Sequence, residues 1–189
     1  MENRIISISG KAGAGKSSGG KELAKKLNMP FYSIGNITRE FAERRGMNIY
    51  EFQAYARAHP GTDELLDGRF KATVDNTPTS VIDYRLAFHF YPKAFHVYLE
   101  VAELEVLNRI KSRGDISDGQ SDSGTNELIR MRDRNQEMRN RLYELYQVDF
   151  TDLANYTTVI DTSSLSIEEV VCQIEIAYKA FLLEVCNKS

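Results

Sequence analysis

Eight consecutive residues near the start of the chain, Gly10-Lys11-Ala12-Gly13-Ala14-Gly15-Lys16-Ser17, fit the spacing G-x-x-x-x-G-K-[ST] without a gap. Residues of these types can wrap a polyphosphate. Glycines let successive backbone N–H groups turn inward, and a helix opening at the end of the loop adds its positive pole. On this reading Gly10, Ala12, Gly13, Ala14, Gly15, Ser17 and Ser18 cradle the phosphates of a donor nucleotide, ATP. Lys16 reaches the outer phosphates and the Ser17 hydroxyl holds Mg²⁺. At average composition a chain of this length meets the pattern by chance well under about one time in a hundred. Asp83 closes a β-branched run, Thr79-Ser80-Val81-Ile82, and is the natural acid for the same metal ion.

The arginines narrow the chemistry further. Of fourteen, five fall within twelve residues: Arg130, Arg132, Arg134, Arg139 and Arg141. Arg130, Arg134 and Arg141 share one face of a helix, and Arg109 and Arg113 are a further i, i+4 pair. An enzyme that brings two phosphorylated molecules together needs such a set, because two unit charges 4 Å apart repel by about 4 kcal/mol even at an effective dielectric of 20. Planar, permanently charged guanidinium groups relieve that repulsion and follow charge onto the transferring group. A phosphate acceptor is already a nucleophile, so no general base is required. The alternative is a solvated helix face whose arginines pair with Asp133, Glu137 and Glu144. A guanine-reading Asn-Lys-x-Asp motif is missing from the sequence, and Tyr84, not Glu, follows Asp83, so neither a GTPase nor a motor-type ATPase is supported.

Those residues have to be positioned by ordered elements. Periodicity predicts strands at 4–9, 31–33, 79–83, 95–100 and 157–160, and helices at 18–27, 35–45, 49–58, 62–75, 103–112 and 126–146, with a last helix from Ser166. Asn48 with Glu51, and Ser166 with Glu169, have the spacing of reciprocal N-terminal caps. Strands alternating with helices imply a parallel sheet covered on both faces: a three-layer α/β fold with a phosphate loop and a five-stranded parallel sheet. The stretch 114–124, GDISDGQSDSG, is the one acidic, loop-like segment. Gly19 and Gly20 interrupt the first helix, where each glycine costs about 1 kcal/mol against alanine.

With 189 residues, 42% apolar positions and a formal charge of −3, the composition is that of one ordinary globular domain with no electrostatic pull on nucleic acid or anionic membrane. Cys172 and Cys186 lie about 21 Å apart along one predicted helix and cannot bridge each other. No signal peptide or membrane span is predicted, so a cytoplasmic, monomeric protein is expected. His59, His89 and His96 are expected to be structural or exposed. Gln53, Tyr55, Asp63 and Asp67 have the donors and acceptors to read an acceptor base.

Taken together these residues resemble the nucleoside monophosphate kinases, and most closely the cytidylate (CMP/dCMP) kinases in their shorter, archaeal-like form. The likeness covers nearly the whole chain: Phe31-Tyr32-Ser33 through Arg39, His59-Pro60 through Asp67, Asp83-Tyr84-Arg85, Arg109 through Arg113, and the 134–146 helix. It implies that Arg39 and Arg85 hold the acceptor phosphate, that Asp63 and Asp67 belong to the acceptor site, and that Arg109 lies on the donor side. It implies further that Arg113, Arg134 and Arg141 neutralise the moving charge. The implied layout is a core (1–34, 79–113, 142–189), an acceptor-binding insert (35–78) and a lid (114–141). The implied reaction is ATP with CMP or dCMP giving ADP and the diphosphate, with Mg²⁺. Another small acceptor (AMP, UMP or a non-nucleotide metabolite) and a non-catalytic nucleotide-binding module are the alternatives. The sequence departs from the family pattern at Tyr84, where a small residue is usual, at Gly19-Gly20, and in the acidity of 114–124.

Overall fold

The computed structural model describes residues 4–112 and 123–188. Arg113, most of the acidic stretch and the side chain of Arg134 lie outside what is described. Five strands form one sheet: β1 (Arg4–Gly10), β2 (Phe31–Ser33), β3 (Thr79–Asp83), β4 (Phe95–Glu100) and β5 (Thr158–Asp161). Their order is β2-β3-β1-β4-β5 and every neighbouring pair is parallel, as the alternation of strands and helices predicts. Helices α1 (Lys16–Leu27), α2 (Ile34–Glu43), α3 (Ile49–Ala58), α4 (Thr62–Asp75), α6 (Glu103–Ser112), α7 (Ser123–Tyr146) and α8 (Ile167–Lys188) match the predicted set, with α1 beginning two residues early. A four-residue helical turn, α5 (Ala87–Phe90), was not expected. Ser123 and Gly124, assigned from sequence to the acidic loop, already belong to α7.

The period-two geometry of the strands sorts their side chains onto two unlike faces. Ile6, Ile8, Val81, Phe95, Val97 and Leu99 share one buried cluster, packed with Leu23 of α1, Val106 and Ile110 of α6, and Val170, Val171 and Ile174 of α8. The opposite face carries Ile5, Ile82 and Tyr84, against Phe70 and Val74 of α4 and Leu142 of α7. A third cluster, Ala42, Phe52 and Leu66, holds α2, α3 and α4 together. Both predicted caps form: the Asn48 side chain accepts from the amides of Tyr50 and Glu51 while Glu51 accepts from the Asn48 amide, and Ser166 and Glu169 do the same for α8.

Gly20 is explained by packing. A Cβ there would lie 2.6 Å from the Phe31 ring, so α1 can rest on β2 only without a side chain at this point. Gly19 is different, since a Cβ would meet Val170 at an ordinary 3.8 Å. Cys172 and Cys186 both lie in α8, exposed and free. None of the described helices is long and apolar enough to cross a membrane.

His96 is buried in the sheet, its Nδ1 2.6 Å from the Ser7 hydroxyl and its Nε2 without a partner. Burial pulls its pKa from 6.5 to about 4. The folded state therefore holds the neutral ring, and the stability this gives is complete above pH 6.5 and is lost as the pH falls toward 4. The loss amounts to about 3 kcal/mol, from the conversion of pKa shift to free energy. A series of thermal midpoints between pH 7 and pH 4 should fall more steeply for the parent than for His96→Gln. Parallel curves would show that the ring does not contribute.

Candidate active site

The loop between β1 and α1 is shaped by three glycines with positive φ: Gly10 (+138°), Gly13 (+81°) and Gly15 (+83°). Two of them also stand where no side chain fits. A Cβ on Gly10 would lie 2.1 Å from the Leu99 carbonyl oxygen, and one on Gly13 would lie 2.8 Å from Val106 of α6. The loop is thus pressed onto Leu99 of β4 and Val106 of α6, and the Lys11 amide donates to the Leu99 carbonyl at 3.0 Å. Lys16 folds back over the loop, its Nζ donating to the carbonyls of Gly10 (2.9 Å) and Lys11 (2.7 Å).

The sheet register brings the acid to the loop. Ile8 and Ser33 both align with Asp83, so the ends of β1, β2 and β3 converge at one level. There the Ser17 hydroxyl donates to Asp83 Oδ2 at 2.7 Å, and the Ser33 hydroxyl approaches the same oxygen at 3.4 Å. A hydroxyl and a carboxylate converging beside a phosphate cradle are hard oxygen donors, and they fit Mg²⁺. Ser17 and Asp83 are the residues that would hold it. Among the described residues no other group of His, Cys, Asp and Glu is arranged for a metal ion.

A cleft of about 400 Å³ runs from this point toward the α2–α4 segment. Ala12, Gly13, Lys16, Ser17 and Asp83 line one end, and Arg39, Asp63, Asp67, Arg85 and Arg141 line the rest. Residues predicted from distant parts of the sequence are therefore walls of one space. Arg39 is exposed on α2 and donates to Asn36 Oδ1 at 2.6 Å. Arg85 is half-buried, donates to Asn135 Oδ1 of α7 at 3.2 Å, and lies over the Phe150 ring at 5.3 Å. Arg141 engages the Asp63 carboxylate through Nε and Nη2, the latter 3.2 Å from Oδ1. Asp67, one helical turn beyond Asp63, accepts from the Tyr146 hydroxyl at 2.7 Å. Burial raises the Asp67 pKa, an effect its tyrosine partners oppose.

A second cleft, of about 280 Å³, lies on the other side of the loop and is lined by Ala14, Gly15, Ser18 and Arg109 together with Thr162 and Ser166. Arg109 joins its walls: it donates to the Gly13 carbonyl at 3.0 Å and to the Thr162 carbonyl at 2.5 Å, while Glu105 accepts from its Nε at 2.9 Å. Thr162, buried at the end of β5, also donates to Glu100 O at 2.9 Å. Sequence reasoning assigned no site role to Thr162, Asn135 or Tyr146. The one available sign was a lone polar residue directly after a strand or on the cleft side of a helix.

Two more arginines of α7 are engaged away from this cleft. Arg132 pairs with Glu103 and Arg139 with Asp149, whose carboxyl is held down to about 2 by that guanidinium. Their partners lie on other elements and not among the acids of α7 itself. Tyr84 is buried between Phe70 and Phe90, its ring centroid 4.5 Å from that of Phe70, and it also lines the cleft, so the bulk that departs from the family pattern is part of the cleft wall.

Comparison with known proteins agrees with this geometry. The family model AAA_18, described as an AAA domain, matches residues 6–141. The cytidylate kinase of Pyrobaculum islandicum is 31% identical over 168 residues, which cover 88% of this chain and 88% of that protein. An S-adenosylmethionine-dependent nucleotide dehydratase of Lacinutrix mariniflava is 42% identical over 166 residues, 87% of this chain; the chain spans only 34% of that protein's length. Among solved structures, shikimate kinase from Aquifex aeolicus superimposes with a TM-score of 0.57 at 18% identity over 95% of this chain and 98% of that one, a likeness of fold.

Proposed function

The chain belongs to the AAA_18 family and to the family of the archaeal cytidylate kinases, which makes it a P-loop kinase-type enzyme, and from that premise we propose that it transfers the γ-phosphoryl group of ATP to a nucleoside monophosphate, CMP or dCMP. The observation that carries this reading is that one cleft of about 400 Å³ is lined both by the phosphate cradle with its lysine and by three arginines and two acids, Arg39, Arg85, Arg141, Asp63 and Asp67. The likeness to part of a nucleotide dehydratase also supports an acceptor that is a nucleotide.

In the proposed reaction an oxygen of the acceptor phosphate attacks the γ-phosphorus in line, and ADP leaves. Lys16 and the loop amides hold the donor phosphates, and Arg109 with Thr162 walls the donor side. Ser17 and Asp83 would hold Mg²⁺, which would supply charge neutralisation for the donor phosphates. Arg39 and Arg85 hold the acceptor phosphate, each bidentate contact adding orientation as well as attraction. Arg113, Arg134 and Arg141 are proposed to neutralise the group in transit. Closure of the 114–141 segment over the cleft would exclude water, so that ATP is used for transfer and not hydrolysed.

The test is ADP formation from ATP and Mg²⁺ with CMP, dCMP, UMP, AMP, GMP and shikimate offered in turn. CMP or dCMP should stimulate ADP release most, and release that no nucleotide stimulates would overturn the proposal. Arg39→Ala should raise the KM for the acceptor roughly 10- to 100-fold, the worth of one lost charge-assisted contact, with the KM for ATP little changed. A defect confined to ATP would contradict the role given to Arg39.

A further inference from the structure

Resting on the reading that Arg39 and Arg85 hold the acceptor phosphate, we infer that Asn36 and Asn135 are positioning residues for it: each aims a guanidinium at the acceptor without neutralising it.

Asn135 lies on the inward face of α7, in a stripe with Met131, Met138 and Leu142 that lines the larger cleft. It is the polar member of that stripe, and a half-buried amide among apolar side chains requires a partner. Its Oδ1 accepts from Arg85 Nη2 at 3.2 Å. The same guanidinium lies over the buried ring of Phe150, 5.3 Å from its centroid. Arg85 follows β3, whereas Asn135 and Phe150 come from α7 and the segment after it, so only the fold unites them. On α2 the arrangement is local. Asn36, one turn before Arg39, accepts from its Nη2 at 2.6 Å.

An amide oxygen and an aromatic face fix the direction of a guanidinium, yet neither carries a net charge. An arginine held this way keeps its positive charge for an incoming phosphate. A carboxylate would hold it more firmly and cancel that charge. The chain uses carboxylates freely for its other arginines. Of the described arginines in the two clefts, Arg109 meets Glu105 and Arg141 meets Asp63. Elsewhere on α7, Arg132 meets Glu103 and Arg139 meets Asp149. Amide partners accompany Arg39 and Arg85, the two cleft arginines to which the acceptor phosphate is assigned. An acid at position 36 or 135 would also stand beside that phosphate and repel it.

The experiment compares Asn135→Asp with Asn135→Ala, measuring KM for CMP, KM for ATP and the inhibition constant of cytidine against CMP. Aspartate has the shape of asparagine and keeps an oxygen for Arg85, so a merely structural role would make it the milder change. The expected order is the reverse. Asn135→Ala should raise the KM for CMP about 5-fold, the worth of one orienting hydrogen bond. Asn135→Asp should raise it at least about 30-fold, because a fixed negative charge then faces a dianion. The KM for ATP should hold in both variants, and inhibition by cytidine, which has no phosphate, should be unchanged by the aspartate.

Asn36→Asp decides the matter if neither variant of Asn135 folds. It places an acid in the first turn of α2, which favours the helix, yet it should raise the KM for CMP about 3- to 10-fold, and less at high salt. An Asn135→Asp no worse than Asn135→Ala, equal weakening of cytidine and CMP, or an unchanged KM for CMP in Asn36→Asp would overturn the positioning role while leaving the kinase reading intact. A parent protein that phosphorylates no nucleoside monophosphate would instead remove the kinase reading, and this inference with it.

Discussion

Lys16→Ala should lower turnover by about two to three orders of magnitude while the protein stays folded. The magnitude follows from what the side chain supplies: a positive charge at the mouth of the loop, where charge on the donor phosphates shifts during transfer. The structural cost is small by comparison. Lys16 gives up two hydrogen bonds to the carbonyls of Gly10 and Lys11, each worth about 1 kcal/mol net. For a domain of this size that is a drop in thermal midpoint of roughly 5 °C. Steady-state kinetics and a melting curve on the same preparation separate the two effects. An unchanged rate would remove the loop from the catalytic site, and an unfolded variant would show that the lysine holds the loop together.

Gly10→Ala should have the largest effect on stability. Its added Cβ would lie 2.1 Å from the carbonyl oxygen and 2.7 Å from the amide nitrogen of Leu99, both of them backbone atoms in the middle of the sheet. The residue is also held at φ +138°, a region L side chains rarely adopt. Strain and overpacking together cost about 3 kcal/mol or more, which lowers the thermal midpoint by roughly 6–12 °C. Relief requires β1 to part from β4 at the Lys11 N–H to Leu99 carbonyl bond (3.0 Å), and the Gly10 carbonyl that anchors Lys16 moves with it. ATP affinity should therefore fall with stability. Gly19→Ala is the contrast: its Cβ meets Val170 at 3.8 Å, and the helix gains up to about 1 kcal/mol of propensity. Calorimetry of the two variants checks both signs, and a Gly10→Ala melting curve that matches the parent would refute the packing argument.

The parts of this molecule that local chemistry dictates were readable in the sequence. The phosphate loop is contiguous, β-branched runs mark β1, β3 and β5 while β2 and β4 show as an aromatic pair and an alternating stretch, and the caps at Asn48 and Ser166 need only three residues' spacing to be seen. Asp83 was identifiable because it ends a strand, and the parallel register then carries it to Ser17. What the sequence did not disclose depends on contacts between remote segments. Gly20 looks like a flaw in a helix until Phe31 is found against it. Arg132 and Arg139 look like members of a cationic face, yet each is spent on an acid of another element. Asp63 and Arg141 were singled out for separate reasons, and only the fold shows that they are partners. The turn at Ala87–Phe90 escaped because four residues are too few to show a helical period.

The central claim is that donor and acceptor phosphates meet in one continuous space between the glycine loop and the arginines. The most direct test is the binding of a molecule that occupies both ends at once, adenosine and cytidine joined 5′ to 5′ through five phosphates. If the space is continuous, this compound should bind at least about 100-fold more tightly than ATP or CMP alone and should exclude both, since linking the halves makes the second contact intramolecular. Binding no tighter than ATP, with CMP still able to enter beside it, would mean that the two ends do not form one site.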